Sequence, residues 1–285
     1  MELLQLKYFC DAAQTENFSL TAKKFMVPPS NISQSVKRLE GELGVSLFDR
    51  NANKIRLNAC GKKFFDKVSN ALYLIDEAKD AIGDDGGRGK IKICVNANRR
   101  IVMQTVEKFN KLYPEVDINT EYGADAENPK FDLAITGKLI DCPHLIGEKL
   151  ATEDICLAVS SDSRLAKLEK INISELKKES FVSMGDKSHL HELTKRICAN
   201  YDFEPRVVIQ GDDPFYVRKC VEMGLGISFV PMLSWKGQFT NNVVIKSIGD
   251  YTRDTYVWKN TKKYTSKCVS AFLEMLVAEF DSEVK

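Results

Sequence analysis

Residues 28–44 read PPSNISQSVKRLEGELG, with apolar side chains at Ile32, Val36, Leu39 and Leu43. Spacings of four, three and four place these on one stripe of an α-helix. At about 100° per residue, Ser30, Gln34 and Lys37 fall on the opposite face, with Asn31, Ser33 and Arg38 beside them. A face of hydroxyls, amides and cations is either plain solvated surface or a surface that reads a polar partner. The neighbouring segments choose between these.

Upstream, Leu3, Leu6, Phe9 and Ala13 make a first helical stripe, and Ser19 is the expected N-cap of a short second helix carrying Ala22 and Phe25. MVPP then forces a turn, because the residue before a proline avoids the helical region while Pro29 suits a helix start. The third helix is expected to stop near Gly44. Downstream, SLFDRNANKIRLN reads as a hairpin around a turn at Asn51–Asn53, with Ile55 and Leu57 inward and Arg56 outward. Helix, tight turn, helix and basic hairpin is the order of a winged helix-turn-helix over 1–60. Its second helix enters the DNA major groove and its wing touches phosphate. Ser30, Gln34 and Lys37 then meet base edges, flanked by Asn31, Ser33 and Arg38, while Arg50, Lys54 and Arg56 meet phosphates.

Charge supports this locally. Over the whole chain 41 cations against 40 anions leave +1, which excludes a generally basic nucleic-acid coat. Between Arg50 and Lys67, however, six cations (Arg50, Lys54, Arg56, Lys62, Lys63, Lys67) face Asp66 alone.

Asn58 is placed to cap a further helix in which Phe64, Val68, Ala71, Ile75, Ala78 and Ile82 recur at spacings of 4, 3, 4, 3 and 4. This narrow heptad seam with polar flanks predicts a partner helix and hence a homodimer. The segment 61–88 is read as linker, closed by the glycine-rich hinge GDDGGRG (83–89).

From 89 to 285 strands and helices alternate. KIKICV (90–95), FDLAI (131–135), EDICLAVS (153–160), SFVS (180–183), RVVIQ (206–210), GISFVP (226–231) and DTYVWK (254–259) read as strands. Helices are expected near 101–112, 188–199, 213–223 and 264–280. The pattern predicts an α/β module of two subdomains, about 89–160 plus 260–285 and about 161–259, with a ligand cleft outside the carboxyl ends of the strands. Asn96, Ala97, Asn98, Thr136, Ser183, Met184, Ser188 and Ser228 are the expected lining. Helix N-termini at 99–101 and 188–190 favour an anionic group there.

Other chemistries find little support. The eight cysteines contain no CxxC pair and sit mostly in apolar segments, as in a reducing compartment. No basic leader precedes an apolar run, and no stretch approaches the ~18 apolar residues of a membrane span, so a cytoplasmic location with no membrane partner is expected. His189 and His191 are two apart and face different sides of a helix, without zinc-ligand spacing to any cysteine. Neither a metal site nor a catalytic set is assembled.

The stretch LKYFCDAAQTENFSLTAKKFMVPPSNISQSVKRLEGELGVSLFDRNANKIRLNACG resembles the LysR-type transcriptional regulators. Leu6, Phe9, Phe18, Ala22, Val27, Ser33, Leu39–Glu40, Leu43–Gly44, Leu47–Phe48, Arg50, Leu57 and Gly61 fall at that family's characteristic places. YPEV, FDLAI and GLGISFVP extend a looser likeness through the rest of the chain. The resemblance implies a winged helix-turn-helix, a long dimerising linker helix and a two-subdomain, periplasmic-binding-protein-like effector module. It also implies a regulator, not an enzyme, whose partners are double-stranded DNA, a small-molecule effector and further copies of itself, with no other cofactor. The alternative is a periplasmic-binding-like enzyme or solute-binding module whose helical N-terminus does not bind DNA.

Three departures from the family pattern stand out. Thr21–Ala22 replaces its usual Ala–Ala, and Pro28–Pro29 replaces the Ser–Gln at the recognition-helix start. EYGADAENPK, between the second and third strands of the module, is too short for the helix usually found there, so a weakened or altered tetramer contact is expected. A peroxide sensor of this family would place a reactive cysteine near 189; His189 stands there and only Cys198 follows, which argues against disulfide sensing.

Overall fold

The computed structural model describes residues 1–51, 54–82 and 87–284. Positions 52–53 of the expected hairpin turn, the Lys54 and Ile82 side chains, and residues 83–86 of the expected hinge lie outside the described residues. The chain divides into two compact units, Met1–Gly83 and Asp84–Lys285.

In the first unit three helices, α1 (Leu3–Thr15), α2 (Phe18–Phe25) and α3 (Pro29–Leu43), precede an antiparallel hairpin of β1 (Phe48–Asn51) and β2 (Lys54–Leu57) and a long helix α4 (Ala59–Ile82). Phe9, Ala12, Ile32, Val36, Leu39, Leu47 and Phe48 belong to the core, so Ile32, Val36 and Leu39 of the stripe read on α3 are buried as expected, with Leu43 half-buried at its end. Leu3 is exposed and leaves that of α1 to Tyr8, Phe9, Ala12 and Ala13. Pro29 opens α3 and Gly44, at φ 70°, closes it.

The cap of α2 differs from expectation. Asn17, not Ser19, takes the position, its side chain accepting from the Ser19 and Leu20 amides at 2.9 and 3.1 Å. Ser19 already lies inside the helix; the extended backbone needed for a cap occurs at Asn17, with φ −150°.

Glu40 ties α3 to the hairpin, with Oε1 accepting from the Leu47 and Phe48 amides and Oε2 held by Arg50 at 2.6 Å. Asn58 caps α4 through the Gly61 amide at 2.8 Å. A Cβ on Gly61 would lie 2.2 Å from the Leu47 carbonyl, so only glycine lets this turn approach the hairpin. The expected seam of α4 divides in two. Phe64 packs on Phe9 with ring centroids 5.3 Å apart, and Val68 and Leu72 are buried within the unit. Ala71, Ile75 and Ala78 are exposed. The first two positions of the heptad pattern are therefore used in intrachain packing.

The second unit runs β3 (Arg88–Val95), α5 (Arg99–Leu112), β4 (Glu115–Glu121), β5 (Leu133–Thr136), β6 (Leu145–Ser160), β7 (Ser180–Met184), α6 (His189–Ala199), β8 (Arg206–Gly211), α7 (Pro214–Glu222), β9 (Ser228–Pro231), β10 (Val243–Asn260) and α8 (Lys267–Val284). Six strands form one sheet in the order β4-β3-β5-β10-β6-β9, and β7 pairs β8 in a parallel ribbon. Strand β3 is parallel to β4 and β5, while β10 is antiparallel to β5 and β6.

Among the described residues this unit has two large cores and a small cluster of Cys94, Phe131, Ala134 and Trp258. Ile93, Val95, Ile101, Phe109, Phe272 and Phe280 fill one, and Leu157, Phe181, Ile197 and Phe229 belong to the other. Strands β6 and β10 are longer than expected and run through both. Ala151 and Val257 belong to the first core, Ile155 and Ile248 to the second. The subdomain boundaries expected at about 160 and about 260 thus fall inside these strands. Between β4 and β5 the chain holds only bends and turns, as the shortness of EYGADAENPK requires.

Candidate functional site

Two polar surfaces stand out, one in each unit. On α3, Ser30, Asn31, Gln34, Lys37 and Arg38 are exposed and Ser33 is half-buried. Arg56 is exposed on β2, and Lys62, Lys63 and Lys67 are exposed along α4. Arg50 is the exception among the expected phosphate contacts. Its guanidinium is committed to Glu40 and lies 5.9 Å from the Phe18 ring centroid, so its evident task is holding the hairpin to α3.

In the second unit a cleft of about 630 Å³ opens where the two cores meet. Asn96, Ala97, Asn98, Met184 and Ser188 line it as expected. Thr136, Ser183 and Ser228 do not. Each is buried and satisfied locally: Thr136 donates to the Lys138 carbonyl at 2.7 Å and accepts from Trp258 Nε1 at 2.8 Å. Ser183 bonds His191 Nδ1 at 2.9 Å, and Ser228 donates to the Phe229 carbonyl at 3.3 Å. Side chains alternate along a strand, so with Met184 at the cleft its neighbour Ser183 faces away.

The sequence reading places Arg99, Lys187 and His189 at the cleft only as members of the loops 96–100 and 183–189, and it misses Tyr122, Gln210, Asp212, Trp235 and Arg253, all of which line the cleft. Arg253 is the most consequential. Buried on β10, it reaches Glu153 Oε1 of β6 at 3.1 Å through Nε and 2.5 Å through Nη2. Ser234 completes the cluster: its amide donates to Glu153 Oε2 at 2.7 Å and its hydroxyl to Oε1 at 2.8 Å. Asn98, in the left-handed region at φ 50°, starts α5 and donates to Thr255 Oγ1 at 2.6 Å. These bonds lock the crossing between the cores and leave Arg253 with its charge compensated.

The adjacent arginines of α5 have opposite fates. Arg100 forks onto Glu283 at 2.9 and 3.1 Å and donates to the Leu233 carbonyl. That hydrogen-bonded pairing holds the Glu283 carboxyl down at about 2. Arg99 instead stacks 4.5 Å over the Tyr122 ring, and no carboxylate lies within ion-pair distance of it among the described residues. Burial lowers its pKa, opposed by the charges of Asp213, Tyr122 and Asp212.

His189 opens α6, whose Leu190 amide is capped by Ser188 at 3.2 Å. Burial first, and then the nearby Arg253 charge, push His189 down to about 4, so its imidazole is neutral near pH 7. His191 points instead to Ser183, separating the two histidines as their spacing predicts. Among the described residues no group of three or more His, Cys, Asp or Glu side chains is placed to hold a metal, and no helix is long and apolar enough to cross a membrane.

Residues 3–62 match the family model for the bacterial regulatory helix-turn-helix protein, lysR family, and residues 84–281 match the LysR substrate binding domain. The transcriptional dual regulator GltC of Bacillus subtilis is 31% identical over 242 residues, covering 81% of each chain. The regulator ShiR of Corynebacterium glutamicum is 26% identical over 241 residues, covering 80% of this chain and 82% of its own. Among solved structures, full-length CbnR complexed with its target DNA aligns with a TM-score of 0.70 at 18% identity, covering 99% of this chain and 100% of that one. The effector binding domain of QuiR in complex with shikimate aligns with a TM-score of 0.58 at 22% identity, covering 68% of this chain and 98% of that one.

Proposed function

This chain belongs to the LysR family of DNA-binding transcriptional regulators, and from that premise we propose that it reads an inverted-repeat operator as a dimer under control of a small carboxylate-bearing effector. The exposed face of α3 supplies the base contacts, and the wing and α4 cations supply a salt-dependent phosphate term. Ala71, Ile75 and Ala78 on the outer face of α4 are the apolar side chains offered to a second copy.

The observation that carries the effector half is Arg99. An unpaired guanidinium, over the Tyr122 ring and beside the N-terminus of α5, suits bidentate capture of a carboxylate. Such a ligand spans walls contributed by both cores, and it regulates by binding one relative arrangement of them more tightly than another. Two measurements test the reading. Thermal-shift screening of small carboxylic acids should yield a stabilising ligand whose affinity falls at least about tenfold in Arg99→Gln, the loss of a charge-assisted pair. A gel shift with the upstream intergenic DNA should show a complex that this ligand alters. A ligand bound equally well by Arg99→Gln would place the carboxylate elsewhere or remove it from the account.

A further inference from the structure

Two adjacent aspartates just before α7 repeat the contrast between Arg99 and Arg100. Asp213 is committed, its side chain capping α7 by accepting from the Phe215 amide at 2.8 Å. Asp212 lines the cleft and has no hydrogen bond or ion pair to its carboxylate among the described residues. A Cβ on Gly185 would collide with Asp212 Oδ1, so this glycine leaves the carboxylate room against the loop from β7 to α6.

The two unsatisfied charges stand on different walls. Arg99 opens α5, which packs in the core of Ile101 and Phe109. Asp212 follows β8, whose Val207 and Ile209 pack on the core of Phe181 and Phe229. Burial lowers the Arg99 pKa, and the charges of Asp213 and Asp212 are among those opposing it, so both lie within electrostatic reach of the guanidinium.

The rest of the lining narrows the choice of ligand. Arg100 is neutralised by Glu283 and Arg253 by Glu153, and His189 is neutral near pH 7. Arg99 and Lys187 then remain against Asp186 and Asp212, two cations against two anions. Asp186 already accepts from Gln210 Nε2 at 2.5 Å, which leaves Asp212 as the carboxylate in want of a donor. A dianion would be drawn to Arg99 and repelled by Asp212. A molecule of no net charge that carries both signs suits both walls, and Tyr122, Met184 and Trp235 add apolar surface for its carbon chain.

Resting on the carboxylate reading above, we propose that the ligand is an amino acid or a related small zwitterion, with its carboxylate on Arg99 and its ammonium group on Asp212. The ammonium donates to the Asp212 carboxylate, so each end compensates one wall and the molecule ties α5 to the segment between β8 and α7. A simple carboxylate meets Arg99 equally well but brings another anion toward Asp212.

The test uses thermal shift and then calorimetric titration of the full chain. The probes are the common α-amino acids, β-alanine and γ-aminobutyrate, each set beside the acid that lacks the amino group. At least one amino acid should bind at least about tenfold more tightly than its partner acid. Asp212→Asn should remove that preference without weakening the partner acid, while Arg99→Gln should weaken both members of the pair at least about tenfold. If Asp212→Asn does not fold, the ratio of the two affinities in the unaltered chain decides alone. Partner acids that bind as tightly as the amino acids, and weaken in Arg99→Gln, overturn the zwitterion and leave the carboxylate reading standing. A preference that survives in a folded Asp212→Asn chain takes the ammonium off Asp212 and overturns the assignment. Binding by neither set, or binding indifferent to Arg99→Gln, overturns both readings.

Discussion

The α3 face and the effector cleft are both polar surfaces, and they are assembled in opposite ways. The first comes from one helix over residues 30–38, with its back anchored by Ile32, Val36 and Leu39. The second draws side chains from Asn96 to Arg253, brought together by strands that serve two cores. A face made by one helix inherits its geometry from helical periodicity. A cleft made by many segments depends on pairings between distant residues, above all Glu153 with Arg253. The α3 face should therefore tolerate point changes structurally and lose only recognition, whereas the cleft should lose stability.

The sharpest way to break this contrast is Arg253→Met. It leaves the buried Glu153 carboxylate without its cation and should cost about 3–5 kcal/mol in urea denaturation. A loss below about 1 kcal/mol would mean that Ser234 alone satisfies Glu153.

The next largest effect concerns pH. His189 is held at about 4 when folded, against about 6.5 unfolded, so the unfolded chain binds more protons between those values. Its contribution is full above about pH 6.5 and is lost as the pH falls toward about 4. Urea midpoints should drop between pH 7 and pH 5, with a smaller drop in His189→Gln. Equal drops in both chains would remove His189 as the cause.

On α3, Gln34→Ala should weaken operator binding by about 1–3 kcal/mol at one base position while leaving stability within about 0.5 kcal/mol. Arg56→Ala should weaken all sequences alike and reduce the salt slope. A Gln34→Ala chain with unchanged sequence preference would show that the recognition face lies elsewhere on α3. Smallest is the cap comparison. Asn17→Ala should cost about 1 kcal/mol and Ser19→Ala only a few tenths, read from thermal unfolding of the two variants. The reverse order would restore Ser19 as the cap.

The first unit was largely legible in advance. Apolar spacing located α1 and α3, Pro29 and Gly44 marked the ends of α3, and alternation around Arg56 exposed the wing. Misreadings there were local choices between similar residues. Asn17 and Ser19 can both cap a helix, and only the backbone at Asn17 is extended. A heptad stripe marks an apolar face but does not say whether the same chain or another covers it, so the pattern assigns Phe64 and Val68 to a partner although their own unit half-buries the first and buries the second. In the second unit the strands other than β4 (Glu115–Glu121) were found, but the lengths of β6 and β10 were not. The pairing of β6 with β10 shifts register between Ser247 and Thr252, where a simple alternating pattern fails.

Helices, hairpin, family membership and the polar face of α3 followed from residues close together in the chain, where periodicity and capping act over a few positions. The charge of the cleft did not. Arg99 and Arg100 are neighbours with the same side chain, yet Arg100 is neutralised by Glu283 near the far end of the chain while Arg99 stacks on Tyr122. Coulomb attraction and hydrogen bonding fall off with distance in space and take no account of distance along the chain. Which cation is free to meet a ligand was decided only when β6, β10, α5 and α8 packed together.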